Sequence, residues 1–210
     1  LGLNYYALPE ASGGVAAEQN IVSNILIAES LAKGDFSLTA GLLSTFSVIN
    51  AITRWGSTQV QSMYLPVFAE DTDITATFAF QEATPAFNPF QLKTKATEQN
   101  GQMTITGEKT LVILGDTADV FLVSAEFNGQ PDIFVVQCDE SISIKANPAM
   151  GLKAAETATL HFNQTPALGL GDADFDYTAF VDLGNLMWCA MAIGTCEAIK
   201  AYCIKYANER

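Results

Sequence analysis

The sequence predicts an α+β chain: a helical N-terminal part, an antiparallel β middle region and a final long helix. Three observations predict it. Apolar residues recur at helical spacing over most of the first 70 positions. Five short runs rich in β-branched and aromatic residues then follow between Thr75 and Gln137, and two of the gaps between them carry Asn-Gly. From about Phe180 the helical pattern returns and continues to Asn208.

Taken in order, Val22, Ile25, Leu26, Ala28 and Leu31 share helical spacing within Val15 to Lys33, and Gly34 is a natural stop for that helix. Asp35 can accept bonds from the free N–H groups of a following turn, so a second helix is expected from there to about Thr53. A third runs from Ser57 to Tyr64, closed by Pro66. The expected strands are Thr75 to Phe80, Leu92 to Glu98, Met103 to Thr110, Val120 to Phe127 and Ile133 to Gln137, with two more at Ser141 to Ala146 and Thr157 to Phe162. Asn100-Gly101 and Asn128-Gly129 suit tight hairpin turns, which need positive φ at both positions. The acidic loop holding Asp172, Asp174 and Asp176 has no metal-loop spacing and reads as a solvated lead-in to the last helix. That helix is apolar on nearly every side between Leu186 and Gly194, which implies burial against helices outside this sequence.

Composition narrows the function. With 23 acidic against 10 basic side chains the net charge is −13, and only Arg54 and Arg210 are arginines, which argues against nucleic acid or an anionic membrane as a partner. The longest strongly apolar run, Leu186 to Gly194, is shorter than the ~20 residues of a membrane span, and the chain is read as soluble and cytoplasmic. Cys138, Cys189, Cys196 and Cys203 show no metal-ligand pattern. The last three recur every seven residues and read as small apolar packing on one helix stripe. A start without Met and a stop inside a helical pattern, at YANER, read as a piece of something longer.

Several strings, in order, resemble the acyl-CoA dehydrogenase family. Leu8-Pro9-Glu10 with Gly13-Gly14 is similar to the family's PEEYGG, Ala28 to Leu38 (AESLAKGDFSL) to EELARGDASL, and Tyr64-Leu65-Pro66 to KYLP. Gly107-Glu108-Lys109 with Ala118-Asp119-Val120 resembles GTKMWITNGGIADVF, and Met150-Gly151-Leu152-Lys153 with Glu156-Thr157-Ala158 resembles MGIRASDTAELHF. The resemblance covers nearly the whole chain. It implies a helical N-terminal domain over residues 1–72, a β-barrel-like middle domain over 73–168, and over 169–210 a linker and the first helix of a C-terminal bundle. It also implies FAD, an acyl-CoA substrate, a homo-oligomer, a place in fatty acid metabolism and an electron-transfer flavoprotein as redox partner.

Departures from the family pattern fall where the flavin is held. The LTEPGAGSD loop, whose Thr and Ser meet the flavin, corresponds to Phe80-Gln81-Glu82-Ala83-Thr84-Pro85-Ala86-Phe87-Asn88, in which only the Glu survives. The WIT segment, whose Trp packs on the flavin and whose Thr bonds its ring, corresponds to Leu111-Val112-Ile113. By the resemblance, Gln81, Phe87, Leu111, Val112 and Ile113 are the cofactor-facing positions. Phe78, Phe80, Phe87 and Phe90 either line an acyl or flavin cavity or form plain core of the β region. Some members carry the catalytic base in a DLERL string. Here that stretch reads Asp182-Leu183-Gly184-Asn185-Leu186, so no catalytic residue is assigned.

Two other side chains invite acid–base roles. Glu82 lies in the flavin loop, but a carboxylate at a strand end reads better as a solvated or capping group. His161, the only histidine, reads better as structural. Two functions follow: an FAD-dependent acyl-CoA dehydrogenase, which the resemblance favours, and a family member that keeps the fold as a binding or assembly subunit without flavin.

Overall fold

The computed structural model describes residues 2–15, 20–70 and 73–209. Five α-helices and seven strands follow in the expected order, with α1 (Leu3–Ala7), α2 (Ile21–Ala32), α3 (Phe36–Trp55) and α4 (Thr58–Glu70) before the sheet. The strands are β1 (Ala76–Ala79), β2 (Lys95–Gln99), β3 (Gln102–Val112), β4 (Val120–Phe127), β5 (Gln130–Gln137), β6 (Ile142–Ala146) and β7 (Ala158–Gly169), and α5 (Tyr177–Asn208) closes the described chain.

Local chemistry sets most boundaries. Asn20 caps α2 by accepting from Val22 N and Ser23 N, so this helix starts at Ile21; the expected earlier turn from Val15 falls on a bend and on residues outside the described set. Asp35 accepts from Leu38 N at 2.8 Å and caps α3, and Asp176 caps α5 through Ala179 N. Pro66 does not close α4, which continues to Glu70. Val60, Tyr64, Leu65 and Phe68 form one buried stripe there, and full burial of Phe68 alone is worth about 1.5–3 kcal/mol, comparable with the ~3 kcal/mol cost of an interior proline. The short helix α1 was not expected from the sequence.

Five strands close into a barrel in the order β4-β2-β3-β7-β5, with β5 returning to β4; β6 is added on β7 and β1 on β4. Both Asn-Gly pairs form two-residue turns, Gln99 facing Gln102 and Phe127 facing Gln130, with φ of 53° and 78° at the first and 51° and 84° at the second. Two pairings depart from the antiparallel expectation: Ala76–Ala79 of β1 runs parallel to Val120–Val123, and β2 meets β4 in parallel at Lys95 and Glu126.

Strand β4 separates two cores. Phe121, Val123 and Ala125 join Ile105, Phe134, Val136, Leu160 and Phe162 inside the barrel. Val120 and Leu122 point the other way and pack with Phe46, Ile49, Ile52, Leu65 and Phe68 of the helices. Alternation of side chains along a strand thus makes one strand serve both.

Helix α5 has a partner within the chain, contrary to the expectation that its partners lie elsewhere. Ala190, Met191 and Gly194 are buried, and a Cβ on Gly194 would lie 2.0 Å from the Glu29 carbonyl oxygen, so α2 and α5 cross in near backbone contact. Thr195 Oγ1 adds a bond to the Ala32 carbonyl at 3.1 Å. The remaining faces are bare: Leu186, Ile193, Ile199, Tyr202 and Ile204 are exposed, and so are all four cysteines. The cysteine stripe therefore faces outward rather than into packing. By length and composition α3 and α5 are both long and apolar enough to cross a membrane, which corrects the reading based on the Leu186–Gly194 run alone. Most of α3 is instead packed inside the fold.

Candidate functional site

A groove of about 450 Å³ lies where α3, the ends of β1 and β3, the segment around 149–157 and the first half of α5 meet. Its strand wall is Thr77, Phe78, Phe80, Gln81, Thr110, Leu111 and Ile113; α5 contributes Phe180, Val181, Gly184, Asn185, Trp188 and Met191. Neither carboxylates nor cationic groups occur among its lining side chains.

Five of the seven expected site residues meet here: Phe78, Phe80, Gln81, Leu111 and Ile113. Val112 does not, because neighbouring residues of a strand face opposite sides; it is buried inside the barrel. Phe87 lies outside the lining and packs edge-on against Phe80, ring centroids 6.1 Å apart. Phe78 and Phe80 line the groove and also pack on the helical core.

Two groove-lining residues, Leu111 and Leu152, hold positive φ, 54° and 53°, and Leu114 and Glu156, each next in sequence to a lining residue, hold 51° and 43°, although none is glycine. At Leu111 the ladder to β7 breaks register between Lys109 and Val112, and the bulge turns the Leu111 side chain outward into the groove. Such strain persists only where the surroundings over-determine it.

Beneath the strand wall lies a buried ion pair. Glu82 is neither solvated nor merely a cap: Lys109 Nζ donates to its Oε1 at 2.9 Å, with the two side chains 0% and 4% exposed. Glu82 also accepts from Lys93 N at 2.8 Å and Thr94 N at 3.0 Å, and Lys109 further donates to the Phe80 carbonyl and Ser124 Oγ. Burial pushes the Lys109 amine down to about 8 against the pull of Glu82. Burial alone would raise the Glu82 carboxyl, but the Lys109 ammonium and the two backbone N–H groups hold it below its usual range. The pair fixes Phe80, and hence Gln81, at the groove. It is too buried to exchange protons with a ligand.

His161 sits opposite Glu108 across the β3–β7 ladder, with its Nδ1 3.2 Å from the carboxylate and both side chains nearly half exposed, away from the groove. Asp172 accepts from Phe175 N, and the acidic loop serves as the helix lead-in expected of it. Among the described residues no cluster of three or more metal-ligating side chains occurs.

Sequence reasoning missed the aromatic floor. Trp55, Phe175, Tyr177 and Phe180 join Phe78, Phe80 and Phe90 in a continuous set of ring contacts, with centroids 5.3–6.4 Å apart along it. Tyr177 Oη donates to the Pro89 carbonyl at 2.8 Å and ties the loop after β1 to α5, and burial drives its phenol pKa upward. The signal was the FDYTAF string at Phe175–Phe180, whose aromatic spacing spans the α5 cap. A second missed signal is polar: Ser44, Ser47 and Asn50, three residues apart on α3, face the groove. A third is Thr157, whose buried Oγ1 has no hydrogen-bond partner and lines the same space.

Comparison with known proteins agrees with this arrangement. The family models for the acyl-CoA dehydrogenase N-terminal domain and middle domain match residues 1–72 and 77–165. An acyl-CoA dehydrogenase of Bacillus subtilis (strain 168) is 27% identical over 225 aligned positions, covering 100% of this chain and 58% of the relative. The structure of butyryl-CoA dehydrogenase from Megasphaera elsdenii superposes with a TM-score of 0.84 at 24% identity, over 100% of this chain and 58% of that one. A glutaryl-coenzyme A dehydrogenase in complex with glutaryl-CoA superposes with a TM-score of 0.85 at 21% identity, over 100% and 56%. The chain thus spans little more than half the length of these relatives.

Proposed function

Because this chain belongs to the acyl-CoA dehydrogenase family, we propose that it forms the flavin- and acyl-facing part of an FAD-dependent oxidoreductase that desaturates an acyl-CoA thioester between its α and β carbons. The observation that supports this reading is the groove itself: the strand ends carrying Phe80, Gln81, Leu111 and Ile113 face α5 across a space of about 450 Å³.

The residues present fit a flavin ring better than its diphosphate. Leu111 and Ile113 offer aliphatic surface to a flat ring. The Gln81 side chain makes no hydrogen bond among the described residues, and the orphaned Thr157 hydroxyl adds a buried donor for the polar edge of such a ring. A diphosphate finds no cationic side chain among those lining the groove. When bound, FAD accepts the hydride that leaves the β carbon as a base takes the α proton. This chain's own part is binding and positioning: the aromatic floor excludes water, Gln81 and Thr157 orient the ring, and the Lys109–Glu82 pair holds the wall in place. Gly184 stands in the groove at the position that corresponds to a family base, so that proton acceptor is not supplied there. The partners that go with the reading are acyl-CoA, an electron-transfer flavoprotein and further copies of the chain, in the cytoplasm.

A specific observation supports the second reading, an assembly subunit without flavin. Positions 111 and 113 are aliphatic, and Phe87 and Phe80 fill the loop where small residues let a cofactor approach. Absorbance decides between the two. The first reading expects the full-length protein to be yellow, or to take up FAD, with a flavin band that bleaches on anaerobic addition of an acyl-CoA. A full-length protein that stays colourless in excess FAD sinks that reading and upholds the second.

A further inference from the structure

The α3 wall of the groove carries polar side chains whose hydrogen-bonding capacity is not spent among the described residues. Ser44 Oγ donates to Thr77 Oγ1 at 2.8 Å, with Ser44 6% and Thr77 1% exposed. Two hydroxyls hold two protons, and this contact uses one; no acceptor for the other occurs among the described residues. Ser47, one turn on and facing the groove, makes no hydrogen bond among the described residues. Asn50, only 8% exposed, accepts from Asn24 Nδ2 at 3.0 Å and donates one of its two amide hydrogens to the Phe46 carbonyl at 2.8 Å, leaving the second unspent. Asn24, also on the groove, accepts no hydrogen bond at its amide oxygen from the described residues.

An apolar chain laid along this wall leaves those donors desolvated and unpaired. That penalty is what makes a site with buried polar groups reject a ligand lacking the matching oxygen. Among the described residues no cationic side chain lines the groove, so an anionic substituent meets no counter-charge from them. Uncharged donors on this wall match a neutral oxygen carried on an apolar chain.

Resting on the acyl-thioester reading above, we propose that the acyl group taken by this groove is oxygenated: it carries a neutral hydroxyl or keto oxygen that accepts from the Ser44–Thr77 pair, Ser47 and Asn50. The preferred ligand is a hydroxyacyl or oxoacyl thioester rather than a plain fatty acyl one.

The test is calorimetric and needs no turnover. The full chain is titrated with heptanoyl-CoA and with matched hexanoyl-CoA probes that carry a hydroxyl or keto oxygen at the terminal or penultimate carbon. At least one oxygenated probe is expected to bind about tenfold more tightly than heptanoyl-CoA, the effect of one well-made hydrogen bond. Ser47→Ala, which breaks no hydrogen bond among the described residues, is expected to cut that preference about fivefold, because it removes a donor to the oxygenated probe and relieves the unpaired donor that an apolar chain would bury. Asn50→Ser gives a second reading of the same preference. If heptanoyl-CoA binds as tightly as every oxygenated probe, this proposal is overturned and the acyl-thioester reading stands. If no thioester binds at all, both fall.

Discussion

Lys109 Nζ lies 2.9 Å from Glu82 Oε1 with both side chains withdrawn from solvent, and this one contact fastens the end of β1 to the middle of β3 directly behind the groove. Because Lys109 also holds the Phe80 carbonyl, the position of Gln81 depends on a buried charge pair rather than on a regular ladder.

Lys109→Met leaves the Glu82 carboxylate buried with only two backbone donors, and is expected to lower unfolding free energy by about 3–5 kcal/mol in urea denaturation. Adding Glu82→Gln removes the stranded charge and keeps an acceptor for one of Lys93 N and Thr94 N, which bond to different carboxylate oxygens, so the double variant recovers part of the loss. Equal losses in the single and double variants contradict a coupled pair.

The pH dependence follows from the depressed amine. Folded Lys109 releases its proton near 8, whereas an unfolded lysine does so near 10.4. Between those values the unfolded chain holds the extra proton, so this group makes stability rise with pH, by up to about 1.4 kcal/mol per unit. Glu82 acts at the other end: its lowered carboxyl contributes stability above the ordinary glutamate range that is lost as pH falls through its folded value. Melting temperatures compared for the wild type and Lys109→Met across pH 8 to about 10 are expected to show the alkaline rise only in the wild type.

Leu111 and Ile113 are the groove-facing members of a segment whose middle residue, Val112, is in the barrel. Leu111→Trp with Ile113→Thr adds an aromatic face and a hydroxyl to the wall, together about 1.5–2.5 kcal/mol of flavin affinity, or roughly ten- to seventyfold. Fluorescence titration of the 210-residue chain with FAD is expected to show no saturation at low micromolar levels in the wild type and measurable binding in the double variant. Tight stoichiometric binding by the wild type refutes the idea that this wall is depleted.

Helix α5 exposes Leu186, Ile193, Ile199, Tyr202 and Ile204 along its length. At ~25 cal/mol per Å2, covering even a few hundred Å2 of that surface yields several kcal/mol, so self-association at tens of micromolar is expected in sedimentation. Ile199→Glu with Ile204→Glu places charges on the bare face and is expected to return a monomer. A wild-type monomer under the same conditions counts against association through this helix.

What the sequence by itself determined is local: the caps at Asp35 and Asp176, the two Asn-Gly turns, the run of strands and the helical return after the acidic loop were all legible, because each depends on residues within a few positions of one another. The family was legible too, from strings in order along the chain. Tertiary structure decided what lies far apart in sequence. Glu82 and Lys109 are 27 positions apart, and nothing in either neighbourhood announces that the barrel buries both. Proline at 66 reads as a stop until Phe68 is seen inside the core, where burial offsets its cost. The groove could be half-read: Gln81, Leu111 and Ile113 were named from the strings, whereas Ser47, Thr157 and Phe180 came to face them only when α3, the segment before β7 and α5 closed around the strand ends. Side chains reveal their neighbours along a helix or strand through its period, but a cavity is made by elements whose meeting is set by the packing of the whole core.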